Sequence, residues 1–595
     1  MKTPFRARLE ALLHFMDTPR GITAALGLAY LAGVALTLLL VTASAYGPVH
    51  FDDEIRYWLT ASRLHTGQFN VTELHHSPPL YSIALLPALS LPAADIYAAI
   101  KVLNVLFITS VVFPAYLLMR QFAGRRYSLL IAALILLLPA QVVIPRLVMS
   151  ENLFYPLFLW GVYLAFVANT APHSRLRWLE NVLFGTICGL MVLTRYLALP
   201  IVPMLFLIWW LRPFQGEHPR LLISKHKVLH AASIFIPFAL VLGVWVVLGL
   251  QENVPFKEMI GFGVANNPDP AQLGRRRLVM WASFYLSYVA LMLAPHLGVF
   301  AAAISQLRPG NWREPLNRWV IAISLISASF LVTATRHSWR ARYNYPEPET
   351  IQGRYIFYLA PLFLIALFAI LKKAKLPRLS RSGYWLVAIL LGELVILAYA
   401  IIYYGLVFLG RPMRMSLNSP DGYLFESLGL GYLALVLVVL AFSTRWMANR
   451  RQMLLAVLPV ALAGMYLAGN AQLYQKILKP LQDPNYPAIQ LMHLMETRYG
   501  AQRDVRSEPV TLFVPYEVNT EYCGIWRATF RFHGFQDVKC EFGHGEARTK
   551  PEVFSARFGA DELTVKTIQK QNYNPARPNQ FAFNGKYYLI SAGGE

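Results

Sequence analysis

Long apolar runs alternate with short polar stretches from residue 1 to about residue 471. A hydrocarbon core of about 30 Å needs about 20 apolar helical residues to cross it. On that criterion the pattern predicts helices near 22–45, 95–119, 127–144, 153–170, 181–197, 199–211, 231–250, 280–304, 319–335, 356–371, 385–408, 427–443 and 453–469. These make about thirteen spans. From about residue 472 the texture changes to a helix-like stretch at 486–499 and strand candidates at 510–514, around 538–542 and at 587–591, separated by Pro, Gly and Asn turns. The expected fold is an α-helical polytopic membrane protein over 1–471, followed by a small α/β domain over 472–595.

Composition agrees with the pattern. With 56% hydrophobic and 14% charged residues over 595 positions, the chain is too apolar for a soluble protein of its size. A formal charge of +22 would suit nucleic acid only if it formed one basic face, and here Lys and Arg occur in small groups between apolar runs. By parity the basic groups at 2–20, 120–126, 175–177, 212–227, 308–318, 372–381 and 445–451 share one face, which reads as cytoplasmic. The N-terminus is then expected in the cytoplasm and the C-terminal domain outside, in a multi-pass protein of the cell membrane. The first apolar run is about 24 residues long and follows a basic amphipathic stretch, so it reads as a retained anchor rather than a cleaved signal. Cys188 falls in a span, whereas Cys523 and Cys540 fall in the exported tail. An oxidising compartment permits a disulfide between those two, and separate burial as thiols is the alternative.

Candidate chemistry gathers on the external side. Asp52, Asp53 and Glu54 follow directly on the first span, where an unused, unpaired carboxylate would cost several kcal/mol if buried near hydrocarbon. A solvated loop is the plain alternative. The stretch from Phe51 to His65 is amphipathic, as expected of a helix lying in the interface, and the chain returns through His75-His76-Ser77-Pro78-Pro79-Leu80-Tyr81. Glu151 opens the fourth span, as a functional acid or as a complement to the helix dipole. Arg336, Arg340, Arg342 and Arg354, interleaved with His337, Tyr343 and Tyr355, put positive charge on the wrong face, as do Arg275, Arg276 and Arg277. The forked donors of Arg match phosphate oxygens, so a membrane-borne phosphate or phosphodiester is the economical partner. Anionic headgroups, or pairing with Glu347 and Glu349, would also account for them. The tail carries no metal-ligand spacing, nucleophile elbow or phosphate loop, which leaves acceptor binding or shielding of the site as its expected role.

Asp53-Glu54-Ile55-Arg56-Tyr57 after the first span, followed by His76-Ser77-Pro78-Pro79-Leu80-Tyr81 entering the next, resembles the GT-C membrane glycosyltransferases. The nearest branch is that of the lipid A aminoarabinose transferases and protein O-mannosyltransferases, which use polyprenyl-phosphate sugars. Glu151 falls where that family tends to carry another acid, and Gln352-Gly353-Arg354-Tyr355 is similar to its Arg-Tyr opening of a later span. The resemblance covers the layout of residues 1–470, with the first external loop its specific part. One departure is Ser77, where many relatives carry Lys, so that donor-phosphate role would pass to Lys101 or to an external arginine.

The resemblance implies inverting transfer from a polyprenyl-phosphate-linked sugar to an extracytoplasmic lipid, glycan or protein acceptor at the bilayer, with no nucleic acid involved. Asp53 would be the general base, with Asp52 and Glu54 beside it to raise its pKa. Arg354, Arg336, Arg340, Arg342, Tyr355 and Lys101 would hold donor phosphate, and Tyr57, His76 and Glu151 would contact substrate. No cofactor is certain, although Asp52, Glu54, His75, His76 and Glu151 are chemically suited to a divalent cation. A transporter or flippase of a lipid-linked saccharide is the rival reading, but it predicts internal repeats and mid-membrane polar groups, and neither is evident. A non-catalytic glycan-assembly subunit would keep the arginines and give Asp53 no role.

Overall fold

The computed structural model describes residues 14–42, 51–68, 70–71, 77–167, 175–212, 225–259, 274–294, 314–340, 351–373, 381–403, 451–475, 485–499, 509–514, 526–527, 529–531, 533–535, 537–542, 553–558, 561–572, 574, 577, 580–583 and 586–592. Its principal helices are α1 (Pro19–Thr42), α2 (Phe51–His65), α3 (Ala93–Thr109), α4 (Val112–Arg120), α5 (Arg125–Ile135), α6 (Pro139–Val143), α7 (Glu151–Phe166), α8 (Arg175–Thr194), α9 (Ala198–Trp210), α10 (Lys225–Gln251), α11 (Arg275–Leu293), α12 (Pro315–Arg340), α13 (Leu359–Lys373), α14 (Arg381–Tyr403), α15 (Arg451–Leu473) and α16 (Asn485–Tyr499). Every predicted span coincides at least in part with one of these, except 427–443, which lies outside the described residues.

Among the described residues, five segments are long and apolar enough to cross a membrane: Pro19–Val41, Asp95–Arg120, Lys227–Gln251, Pro315–Arg340 and Gln452–Leu473. A sixth would be the broken pair Arg125–Ile135 and Pro139–Arg146, bent by 58°. The break falls at Pro139, which has no N–H to donate and cannot continue the preceding helix. Twelve of the thirteen expected spans thus coincide with helices, of which five, or six with the bent pair, meet the length and apolarity needed to cross among the described residues.

Burial sorts these helices into a centre and a rim. Every residue of α13 from Leu359 to Leu371 is buried, the mark of a helix surrounded on all sides by others. Leu28 and Leu39 on α1 and Val460 on α15 are instead 67%, 72% and 72% exposed, as apolar faces turned to lipid would be. Close approach of α8 to α10 depends on two glycines four residues apart. A Cβ on Gly185 would overlap the Ile234 carbonyl, and one on Gly189 would meet Val241 at 2.8 Å.

Helix α2 is held by its apolar face. Ile55 and Ala61 pack with Tyr81, Leu85, Ile100 and Val148, which fixes how the acids at its start are turned.

In the C-terminal part, six strands form one sheet in the order β2-β1-β3-β4-β6-β5. They are β1 (Val510–Val514), β2 (Val538–Phe542), β3 (Val553–Phe558), β4 (Asp561–Ile568), β5 (Gln580–Phe583) and β6 (Lys586–Ala592). Strands β1 and β2 run parallel and the other pairs antiparallel. Sequence reading anticipates β1, β2, β6 and α16 and misses β3, β4 and β5. The reason is visible in β4, where Leu563, Val565 and Thr567 alternate with Glu562, Thr564 and Lys566. Alternation of this kind gives period two without a continuous apolar run.

Candidate active site

The site is built where α2, the start of α7, the end of α8, the end of α12 and the turn before α13 meet. Asp53 and Tyr57 are four residues apart on α2 and share a face. The Tyr57 hydroxyl lies 2.8 Å from Ser150 Oγ, next to Glu151. Burial raises the Tyr57 phenol to about 12, so it stays protonated and available as a donor.

Gly353–Tyr355 forms one turn of 3-10 helix, closed by Tyr355 N–H to Gln352 O at 3.2 Å, and α13 follows. The turn presents Arg354, whose Nη1 donates to Asp53 Oδ2 at 2.9 Å. Neither side chain is far exposed, at 12% for Arg354 and 27% for Asp53. Tyr355 lies on the other side of the turn, with its hydroxyl 3.0 Å from His337 Nε2 on α12. Below the turn, Phe357 packs edge-on to Tyr155 at 5.2 Å, and Tyr358 stacks on Phe330 at 5.5 Å. This aromatic base fixes where Arg354 stands.

A second ion pair lies beside the first. Glu151 begins α7, 1% exposed, and its carboxylate meets the Arg195 guanidinium. Both readings of Glu151 from the sequence therefore have a physical counterpart: it complements the α7 dipole and it takes part in the polar cluster. Arg195 caps the end of α8, with its N–H on Met191 O. The guanidinium carbons of Arg195 and Arg354 lie 5.3 and 5.4 Å from the centre of the Tyr355 ring. Two ion pairs thus present both of their arginines to one tyrosine ring, an arrangement suited to receive a dianionic or phosphodiester group by exchange of partners.

Glu54 is turned elsewhere. Successive helical side chains diverge by about 100°, and Glu54, fully buried, accepts the Val148 N–H at 3.3 Å. Lys101 is also fully buried, with Nζ 4.1 Å from the centre of the Tyr97 ring. Both lie in the electrostatic environment of Arg146. Lys101 and Glu54 therefore belong to an interior cluster distinct from that of Asp53, Arg354 and Tyr355. Ser77 is 4% exposed.

Arg336 and Arg340, expected in a loop, continue α12; no helix-breaking residue intervenes between Thr335 and Arg340. Arg336 is exposed and Arg340 partly buried. Of the other arginines expected on the external side, Arg277 donates from Nε to Trp339 O at 3.1 Å and so braces α11 against the end of α12. Arg342, His75, His76 and Cys523 lie outside the described residues, as do the side chains of Asp52 and Cys540. Cys188 is a free, buried thiol in α8. Among the described residues no group of three or more His, Cys, Asp or Glu side chains is placed to hold a metal ion. Glu151 already faces a cation of the chain itself.

Arg195 and Ser150 are absent from the sequence-based candidates. Arg195 had a signal: it is an ionisable residue at the end of an apolar run, on the face where positive charge is not expected. Ser150 had none, because a lone serine before a helix is an ordinary cap.

Residues 71–256 match the family model described as dolichyl-phosphate-mannose-protein mannosyltransferase. The matched stretch contains Ser77, Lys101, Glu151 and Arg195; Asp53 precedes it and Arg354 follows it. No curated protein matches the sequence. Among solved structures, the chain is similar to ArnT from Cupriavidus metallidurans bound to undecaprenyl phosphate, at 14% identity, over 94% of this chain and 97% of that one, with a TM-score of 0.46. It is also similar to the Archaeoglobus fulgidus oligosaccharyltransferase tethered with an acceptor peptide, at 13% identity, over 77% of this chain and 55% of that one, with a TM-score of 0.37. The family match bears out the resemblance to membrane glycosyltransferases of the GT-C type that depend on polyprenyl phosphate.

Proposed function

We propose that the protein is an inverting membrane glycosyltransferase that moves a sugar from a polyprenyl-phosphate-linked donor to a hydroxyl of an extracytoplasmic lipid, glycan or protein. The contact between Arg354 and Asp53 carries this reading, because it sets a phosphate-matching donor and a proton acceptor 2.9 Å apart. The family match over 71–256 supports the class of donor.

In the proposed reaction the donor phosphate enters between Arg354 and Arg195 and competes with Asp53 for Arg354. The freed Asp53 carboxylate then accepts the proton of the acceptor hydroxyl. The acceptor oxygen forms its bond to sugar C1 from the face opposite the phosphate. As that bond forms, the bond from C1 to the phosphate oxygen breaks, with its electron pair leaving on the polyprenyl phosphate. Negative charge grows on the phosphate as the bond breaks, and the two guanidiniums stand where it accumulates. Tyr57 and Ser150 border the space in which sugar hydroxyls would lie. The residues from 472 onward serve as the external domain that shields or presents the acceptor.

Cells lacking the protein provide the test. Mass spectrometry of their lipid-linked sugars and exported glycans should show one polyprenyl-phosphate sugar accumulating and the same sugar missing from an exported acceptor. Unaltered pools of both would remove the proposal.

A further inference from the structure

At the opposite end of the helices from the candidate site, the ends of α7 and α9 and the start of α12 enclose a recess lined by Phe166, Ile208, Leu211, Arg318, Ile321 and Ala322. Its empty volume, including the part open to the outside, is about 270 Å³. Glu151 and Phe166 are the two ends of α7, about 22 Å apart at 1.5 Å per residue, and Arg318 and His337 on α12 are separated by about 28 Å. The recess therefore lies roughly one hydrocarbon core away from Asp53 and Arg354.

Five of the six lining residues are apolar and the sixth is a buried arginine, 9% exposed. Arg318 Nε is buried without a hydrogen-bond acceptor, and no carboxylate pairs with Arg318 among the described residues. The Phe166 ring, 5.1 Å from the guanidinium carbon, is its aromatic neighbour. Arg318 also sits in the first turn of α12, which contains no acid, so the positive end of the helix dipole opposes it. A buried guanidinium in that position would be stabilised by an anion, and none is paired with it among the described residues. The apolar walls exclude a fully hydrated ion and suit a headgroup whose glycerol and chains continue into the bilayer. The recess opens at the chain's basic end, where anionic headgroups are expected to gather.

We propose that this recess binds the phosphodiester of an anionic phospholipid from the leaflet opposite the candidate site. Arg318 takes the phosphate oxygens through its fork, and Phe166, Ile208 and Leu211 cover the first part of the lipid chains. The proposal is independent of the proposed activity and holds for any function of the external site.

The test is the thermal unfolding of the full-length protein in an uncharged detergent, with added phosphatidylglycerol, phosphatidylcholine or inorganic phosphate. Phosphatidylglycerol should raise the Tm of the wild type by several degrees through preferential binding to the folded state, and the other two should not. Arg318→Gln should lose that rise and Arg318→Lys should keep part of it. Should Arg318→Gln fail to fold, Ile321→Trp fills the recess with Arg318 in place and should likewise lose the rise. An undiminished rise in Arg318→Gln or in Ile321→Trp overturns the proposal. An equal rise with inorganic phosphate also overturns it, by assigning the recess to a free anion.

Discussion

Arg354 donates from Nη1 to Asp53 Oδ2 at 2.9 Å, joining side chains 301 positions apart in the sequence. One contact brings the acid after the first apolar run to the arginine before α13, and both of its partners are groups the proposed reaction needs. An ion pair of this kind at the edge of a membrane has two consequences for donor binding. It keeps Arg354 in position before the phosphate arrives, and it keeps Asp53 occupied until then.

Arg354→Ala is expected to weaken binding of a polyprenyl-phosphate analogue by about 1.5–3 kcal/mol, roughly 10- to 150-fold in Kd. Arg354→Lys should recover only part of this, because an ammonium lacks the planar fork. Titration of the analogue against purified variants checks both values. Unchanged affinity in Arg354→Ala would move the phosphate to Arg195 or to the arginines from Arg275 to Arg277.

Arg195→Ala leaves the Glu151 carboxylate buried without its cation, and truncating one partner of a buried pair typically costs about 3–5 kcal/mol. The variant should therefore unfold at a clearly lower temperature than the wild type. Adding Glu151→Gln to Arg195→Met should restore most of the lost stability and none of the transfer. A double variant no more stable than Arg195→Met alone would mean that the pair does not act as a unit.

Lys101→Met separates the interior cluster from the donor site. Since Lys101 lies with Glu54 and Arg146, its loss should lower stability while leaving the Kd of the polyprenyl-phosphate analogue within about twofold, less than the effect of one lost charged hydrogen bond. A tenfold loss of donor affinity, with folding intact, would instead place Lys101 in the phosphate site.

Topology has its own readout. Single cysteines introduced at 378 and at 345 should react with an impermeant thiol reagent from the cytoplasmic and the external side respectively, and a reporter fused after Glu595 should be active outside. The reverse labelling would invert the orientation read from the charges.

Much of this arrangement is legible in the sequence, for identifiable reasons. Length and apolarity mark the helices because a bilayer sets their length, and Asp53, Tyr57, Glu151 and Arg354 stand out as polar groups beside apolar runs. What periodicity could not supply is which of them meet. Asp53 and Glu54 are neighbours in sequence, yet one faces Arg354 and the other Val148 N–H, a division made by how Ile55 and Ala61 pack. Lys101 read as a substitute phosphate ligand because it is a cation near the right span, but burial beside Tyr97 follows from tertiary packing alone. Arg195 carried a signal as an ionisable residue closing an apolar run, but its pairing with Glu151, distant in sequence, follows from tertiary packing alone.

The central claim is that Asp53 takes the acceptor's proton after the donor phosphate has engaged Arg354, and single-turnover transfer by Asp53→Asn, with the donor bound beforehand, measures it most directly. Asn keeps the size of the side chain and removes the base, so transfer should slow by about two to four orders of magnitude while donor affinity is retained. Transfer by Asp53→Asn at the wild-type rate would contradict the account.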